Sequence, residues 1–240
     1  MSLCRLDKFL ADTGRWSRSE AKALIRAGRV LVDGVPARSG DGKVGETSTI
    51  TVDGEVLAGG RARYLMLHKP AGLLSATEDR DQPTVLDLLT PELRRLGLFP
   101  VGRLDKDTTG LLLLTNDGDF AHRVTAPRRH VPKRYLTRVE GSLMPEDAKT
   151  LAGGVTLGDG TRCLPARLEL TDRPDEGRVT VYEGKYHQVK RMLAALGKPV
   201  VRLHRERIGG LELDSALAPG EYRPLTAAEL ALVFSPEEDR

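Results

Sequence analysis

Aromatic side chains are scarce: they make up 4% of the 240 residues, with a single tryptophan. Any core must therefore be aliphatic, built from leucine, valine and alanine. Cysteine is nearly absent. Cys4 and Cys163 lie far apart and show neither CxxC nor metal-ligand spacing, which excludes a disulfide scaffold and a zinc module and points to reduced thiols in the cytoplasm. No apolar run approaches the length needed to span a membrane, the longest block of leucines being Leu111 to Leu114. The N-terminal stretch MSLCRLDKFLADTG carries charges throughout, unlike a signal peptide. Also missing are GxGxxG and GxxxxGKS/T phosphate loops, HExxH and GxSxG. The expectation is a soluble, monomeric cytoplasmic protein with no metal, no cofactor and no membrane partner.

What is present is charge, 30% of the residues, with a formal net charge of only +3 and a pI near 8.9. Its distribution says more than its total. Ser17-Arg18-Ser19-Glu20 spells a capping box ahead of a helix with Ala21, Leu24 and Ile25 facing inward and Gly28 as its stop. On that helix Lys22, Arg26 and Arg29 recur at i, i+4, i+7, a basic stripe that either is simply solvated or tracks the phosphates of a nucleic acid. The hairpin Val30-Leu31-Val32, Asp33-Gly34, Val35 follows, and a second strand pair around Ile50-Thr51-Val52 closes the unit near residue 58. RLDKFLADTGRWSRSEAKALIRAGRVLVDGVPA resembles the small RNA-binding module of the S4 type, in which the second helix and the following hairpin grip structured RNA.

Beyond the glycine-rich segment 59–63, Tyr64 to Leu67 opens an apolar strand. Asp81-Gln82-Pro83-Thr84 is expected to start a helix running to Leu89, and Asp119 to cap one that Pro127 stops. Short strands are expected at Val155-Thr156-Leu157 and at 166–170. Two further basic clusters, at 119–138 and 183–207, could join the stripe in one positive surface suited to RNA. Lys133 to Val139 alternates as a strand with Tyr135, Thr137 and Val139 on one face. Ahead of both clusters lies the most informative stretch, VGRLDKDTTGLLLLTNDGDF. Arg103, Asp105, Lys106 and Asp107 crowd a loop that runs straight into the four leucines, a buried strand ended by the Asn116-Asp117-Gly118 turn. Charges set that close to a core must be paired with each other, solvated or used.

GRLDKDTTGLLLLTNDG resembles the catalytic motif of the RNA pseudouridine synthases, in the branch that carries an N-terminal S4-like module. YLMLHKPAG, KRYL and EGKYHQVKRM match the same branch in the same order. EGKYHQVKRMLAALG with LHRERIGGLELD and LAPGEYRPLT is most similar to members acting on small-subunit (16S) rRNA. The resemblance implies an α+β chain: an S4-like RNA-binding domain over 1–58, a linker at 59–63 and a catalytic domain over 64–240, whose mixed, mainly antiparallel sheet is flanked by helices. It also implies isomerisation of a flipped uridine, the uridine 516 position of 16S rRNA, without a cofactor and possible within an assembling small-subunit particle. Asp105 would be the essential carboxylate, acting as nucleophile or proton acceptor. Arg103 would open the RNA helix or pair with that carboxylate, Tyr135 would stack on uracil, and Lys190 would pair with Asp105 and keep it ionised. Leu211 would wall the pocket, while Lys22, Arg26, Arg29 and Arg191 would hold RNA. Large-subunit rRNA or tRNA as substrate, or a non-catalytic ribosome-assembly factor that binds RNA, are the other readings. The intact Asp105, Tyr135 and Lys190 speak for an enzyme.

Overall fold

The computed structural model describes residues 4–45, 48–57, 62–126 and 129–235. Most of the expected linker, the Pro127 stop and the acidic residues at 237–239 lie outside them. The chain divides into two compact units, one holding the residues up to Arg63 together with Leu89–Phe99, the other the rest. Leu89–Phe99 was expected within the 64–240 domain. It clusters with the first unit instead, where Leu96 sits so close to Gly14 that a Cβ on that glycine would come within 2.8 Å of it.

In the first unit, α1 (Leu6–Ala11) buries Leu6, Phe9 and Leu10, and α2 (Arg18–Arg26) buries Ala21, Leu24 and Ile25. Ser17 Oγ accepts from the Glu20 amide at 3.3 Å, and the Glu20 carboxylate accepts from the Ser17 amide at 2.6 Å. The capping box expected from the sequence thus forms, a device worth about 1 kcal/mol. Strands β1 (Val30–Val32), β2 (Val35–Pro36), β3 (Ile50–Val52) and β4 (Glu55–Leu57) make an antiparallel sheet in the order β2-β1-β3-β4. Its two hairpins turn at Asp33-Gly34 and Asp53-Gly54, and all four residues have positive φ. Such turns twist in the same sense as the strands they join.

The second unit is built on one mixed sheet. Its strands include β5 (Tyr64–Lys69), β6 (Thr109–Thr115), β7 (Lys133–Val139), β8 (Arg167–Leu170), β9 (Glu176–Val181), β10 (Val200–Ile208), β11 (Leu211–Glu212) and β12 (Tyr222–Pro224). The order is β8-β9-β7-β10-β6-β5-β12, with β11 hairpinned onto β10. Only β10 and β6 run parallel in that path; the other neighbours are antiparallel. Leu111 to Leu114 fill the middle of β6, each at most 1% exposed, and each such burial stabilises by about 2 kcal/mol. Helices α3 (Gly118–Thr125), α4 (Pro145–Ala152), α5 (Gln188–Ala195) and α6 (Ala227–Leu232) accompany the sheet. Val179, Val181, Leu151, Met192 and Leu193 share one aliphatic cluster, which is how a chain so poor in aromatics still closes a core.

The parallel contact is the tightest place in the sheet. Gly110 on β6 lies opposite Arg205 on β10 and opposite Lys69 on β5. A Cβ on Gly110 would meet the Arg205 backbone at 2.3 Å from its oxygen and 2.6 Å from its nitrogen, and Gly110 has φ +107°. Both facts demand glycine there.

Three local expectations differ. Asp117, not Asp119, caps α3, because its Oδ1 reaches the Phe120 amide at 3.0 Å while Asp119 already lies in the first turn. The helix expected from 81 to 89 shrinks to a 3₁₀ turn, Val85–Leu88, headed by Thr84, whose amide donates to Asp87 Oδ2 at 2.8 Å. Val155–Leu157 contributes only an isolated bridge, Thr156 to Arg162. Among the described residues no helix is long and apolar enough to cross a membrane.

Replacing Gly110 by alanine forces β6 and β10 apart. We expect Gly110→Ala to lower the unfolding free energy by about 3 kcal/mol or more, measured by denaturant titration, whereas Gly158→Ala, outside the left-handed region and with nothing within 4 Å of the added carbon, costs far less.

Candidate active site

The loop that carries Asp105 is held mainly through its backbone. Lys69 ends β5 fully buried, and its ammonium donates to the carbonyls of Pro70 at 2.9 Å, Lys106 at 3.3 Å and Thr108 at 2.9 Å. The Gly72 amide also donates to Lys106 O at 2.7 Å. Ser75 Oγ accepts from the Leu104 amide at 3.1 Å and donates to Leu104 O at 2.8 Å. A buried ammonium with three acceptors has each of its N–H groups satisfied, so Lys69 acts as a staple between β5 and both ends of the charged turn. Burial nonetheless pushes it down to about 8, against the pull of Asp107 and Asp105.

Held this way, Asp105 faces the start of α5. Its Oδ2 lies 3.1 Å from Lys190 Nζ and its Oδ1 lies 3.4 Å from His187 Nε2. Lys190 also reaches Asp107 Oδ1 at 2.6 Å, so one ammonium bridges two carboxylates. Burial opposes the charge on Lys190, but its bonds to Asp107 and Asp105 win and raise its pKa above the ordinary lysine value. The Asp107 carboxyl is correspondingly held below the usual range, chiefly by its hydrogen bond from Lys190. His187 enters this arrangement because it sits in the left-handed region, φ 49°, just ahead of α5. Its ring stacks on exposed Tyr186 at 3.8 Å between centroids.

Asp105, Tyr135 and Arg103 border a cavity of about 390 Å³, room for a nucleoside but not for a duplex. Tyr135 lies on β7 directly across from Arg205 on β10. Arg205, 4% exposed, donates through Nε to Leu111 O at 2.7 Å and through Nη1 to Tyr135 Oη at 3.5 Å. Lys133, two residues before Tyr135 and therefore on the same face of β7, also lines the cavity and donates to Val124 O at 3.2 Å.

The residues singled out in the sequence divide. Asp105, Tyr135 and Lys190 converge, while Arg103 stands exposed at the rim without an ion pair among the described residues. Leu211 is buried but does not line the cavity; Ile208, its partner in the hairpin, does. Arg191 points elsewhere, to Asp159 at 2.5 Å. In the first unit Arg26 is exposed, Lys22 lies 3.8 Å from Asp7, and Arg29 is forked onto Asp53, 2.7 Å from Nε to Oδ1. The positive surface read from the sequence is thus thinned by ion pairs, Arg134 with Glu206 and Arg138 with Asp175 among them. Conversely Lys69, Lys133, His187 and Arg205 were passed over as site residues. Period-two alternation offered a signal for two of them: Lys133 shares a face with Tyr135, and Arg205 shares one with Leu203.

Comparison with known proteins meets this geometry from another side. The profile described as RNA pseudouridylate synthase matches residues 63–195, and the S4 domain profile matches 4–50. The chain is 48% identical to the ribosomal small subunit pseudouridine synthase A of Escherichia coli K12, over 95% of this chain and 99% of that one. It is 49% identical to an uncharacterized RNA pseudouridine synthase, YtzG, of Bacillus subtilis, over 97% and 99%. A crystal structure of a pseudouridylate synthase superposes with a TM-score of 0.68 at 39% identity, covering 95% of this chain and 99% of that one.

The buried lysine sets a pH dependence. With a folded pKa of about 8 against about 10.4 when unfolded, Lys69 binds fewer protons in the folded state between those values, so stability rises with pH across that window. Wild type should gain unfolding free energy from pH 8 to 10, and the gain should be smaller in Lys69→Met when both are measured by urea titration at each pH.

Proposed function

We propose that this chain, which belongs to the RNA pseudouridylate synthase family and joins an S4 domain to the synthase domain, converts one uridine of 16S rRNA to pseudouridine. The position proposed is uridine 516, modified in the cytoplasm by a monomer acting on an assembling small-subunit particle. The near-full-length likeness to small-subunit synthases supports the choice of RNA.

The observation that carries the chemistry is the carboxylate of Asp105, anchored by Lys190 at 3.1 Å at a cavity walled by Tyr135. The uridine must leave its stack to reach that carboxylate, at a cost of a few kcal/mol. Once inside, Asp105 is the group that acts on the nucleoside as the N1–C1′ bond gives way and C5 takes its place. Tyr135 holds the face of the base, Lys190 keeps the carboxylate aimed, and Arg103 at the rim meets the opened RNA. The domain proposed for RNA gripping, 1–58, supplies binding free energy remote from the chemistry through Lys22, Arg26 and Arg29.

Release of tritium from RNA labelled at uridine C5 tests the enzyme: wild type should release it and Asp105→Asn should not, and equal release from both would leave only an RNA-binding assembly factor. Pseudouridine mapping in a deletion strain tests the substrate. Loss of a single 16S modification is expected; a change confined to large-subunit rRNA or tRNA would move the assignment there. For the first unit, Lys22→Ala with Arg26→Ala should weaken RNA binding and reduce the magnitude of the log–log salt slope by roughly 2, with turnover at saturating RNA preserved.

A further inference from the structure

The cavity holds two cations that the roles above leave unused. Its carboxylates are Asp105 and Glu183, and both are taken. Asp105 has Lys190 and His187. Glu183 accepts from Gln188 Nε2 and the Leu164 amide, each at 2.9 Å, and lies 3.0 Å from Lys185. Lys133 and Arg205 face neither: among the described residues their hydrogen bonds go to neutral oxygens, Val124 O for the first, and Leu111 O and Tyr135 Oη for the second. Arg205 Nη2 is buried with no partner among the described residues. Lys133 uses one of its three N–H groups. Burial, and then the charge of Arg205, push the Lys133 ammonium down to about 8. A buried guanidinium and a half-buried ammonium left without a carboxylate beside one another are costly to fold around. That arrangement fits a site in which negative charge arrives during the reaction.

We propose that Lys133 and Arg205 form a paired cationic wall that takes up the negative charge developing on the uracil oxygens as the nucleoside is rearranged. The inference rests on the proposed synthase activity but not on which atom Asp105 acts upon. If the carboxylate attacks C1′ or removes a sugar proton, the N1–C1′ electron pair departs with uracil and spreads over O2 and O4. If it adds to C6 of the base, the electron pair moves to O4. In each case C5 then bonds to C1′ as the carboxylate leaves the carbon it had attacked or returns the sugar proton it had taken; the C5 hydrogen leaves as a proton and N1 takes one up, so the change is an isomerisation with no co-reactant. A wall already carrying positive charge stabilises such an anion without reorganising. The sheet supplies the alignment: Lys133 and Tyr135 share one face of β7, and Arg205 lies across from Tyr135 on β10, its guanidinium carbon 6.0 Å from the ring centroid.

The test compares single-turnover consumption of uridine and of 5-fluorouridine at the target position, using wild type, Lys133→Met and Lys133→Arg. RNA affinity and melting temperature are measured alongside. Fluorine stabilises the departing base anion, so help from a cation matters less on that RNA. We expect Lys133→Met to slow uridine consumption by about 10²-fold with RNA affinity within about twofold. Lys133→Arg should recover most of the rate, and the defect should shrink on 5-fluorouridine. An unchanged rate in Lys133→Met, or an equal defect on both RNAs, would overturn the proposal. So would a loss confined to affinity with a salt slope lower by about one, which marks a phosphate contact. If Lys133→Met does not fold, inhibition of wild type decides. Free 5-nitrouracil, ionised at neutral pH, should inhibit at least tenfold better than uracil, and equal inhibition would refute the charge-stabilising wall. A wild type that consumes neither RNA would remove the synthase reading itself, an outcome distinct from an active wild type indifferent to Lys133.

Discussion

The second unit depends on one close approach, between β6 and β10 at Gly110. With no side chain in the way, β10 comes alongside β6 in the sheet's parallel pairing and brings Arg205 next to the leucine strand, where its Nε is accepted by Leu111 O. On the other side Gly110 pairs with Lys69, whose ammonium ties down the turn just ahead of β6. The row Lys69–Gly110–Arg205 therefore sets two buried cations on either side of a glycine, directly behind the loop of Asp105. Adding one carbon at Gly110 would disturb the sheet, the loop and the cavity wall together.

Electrostatics in this molecule separate into two kinds. Exposed pairs such as Arg15–Glu55 and Arg29–Asp53 contribute between nothing and about 1 kcal/mol each, and chiefly they discharge what would otherwise be a broad basic surface. Charges at the cavity behave differently. Lys190 bridges Asp105 and Asp107, and Lys133 and Arg205 pair with no carboxylate among the described residues.

Backbone geometry completes the site at α5. His187 takes a left-handed conformation that an L-residue adopts only when its surroundings hold it there. That turn sets its imidazole against Asp105 and stacks it beneath Tyr186, while the following helical turn delivers Lys190. One bend in the chain thus supplies two of the cationic or polar groups that meet the carboxylate.

The sequence by itself determined a great deal: the capping box at Ser17, the hairpins at Asp33-Gly34 and Asp53-Gly54, the leucine strand, and the charged loop with Asp105. These are local matters, set by turn chemistry, periodicity and the cost of burying charge over a few residues. The resemblance added that Tyr135 and Lys190 belong with Asp105. Tertiary structure alone decided that Asp107 shares Lys190 with Asp105, that Arg191 turns to Asp159, and that Leu211 stays behind Ile208. It alone decided that Lys69 and Arg205 are interior cations, and that half-buried Lys133 lines the cavity, rather than three more surface charges. The reason is physical: which face of a strand a long basic side chain occupies depends on the register of its neighbours, and that register is fixed by contacts such as Gly110 with Arg205, 95 residues further along the chain.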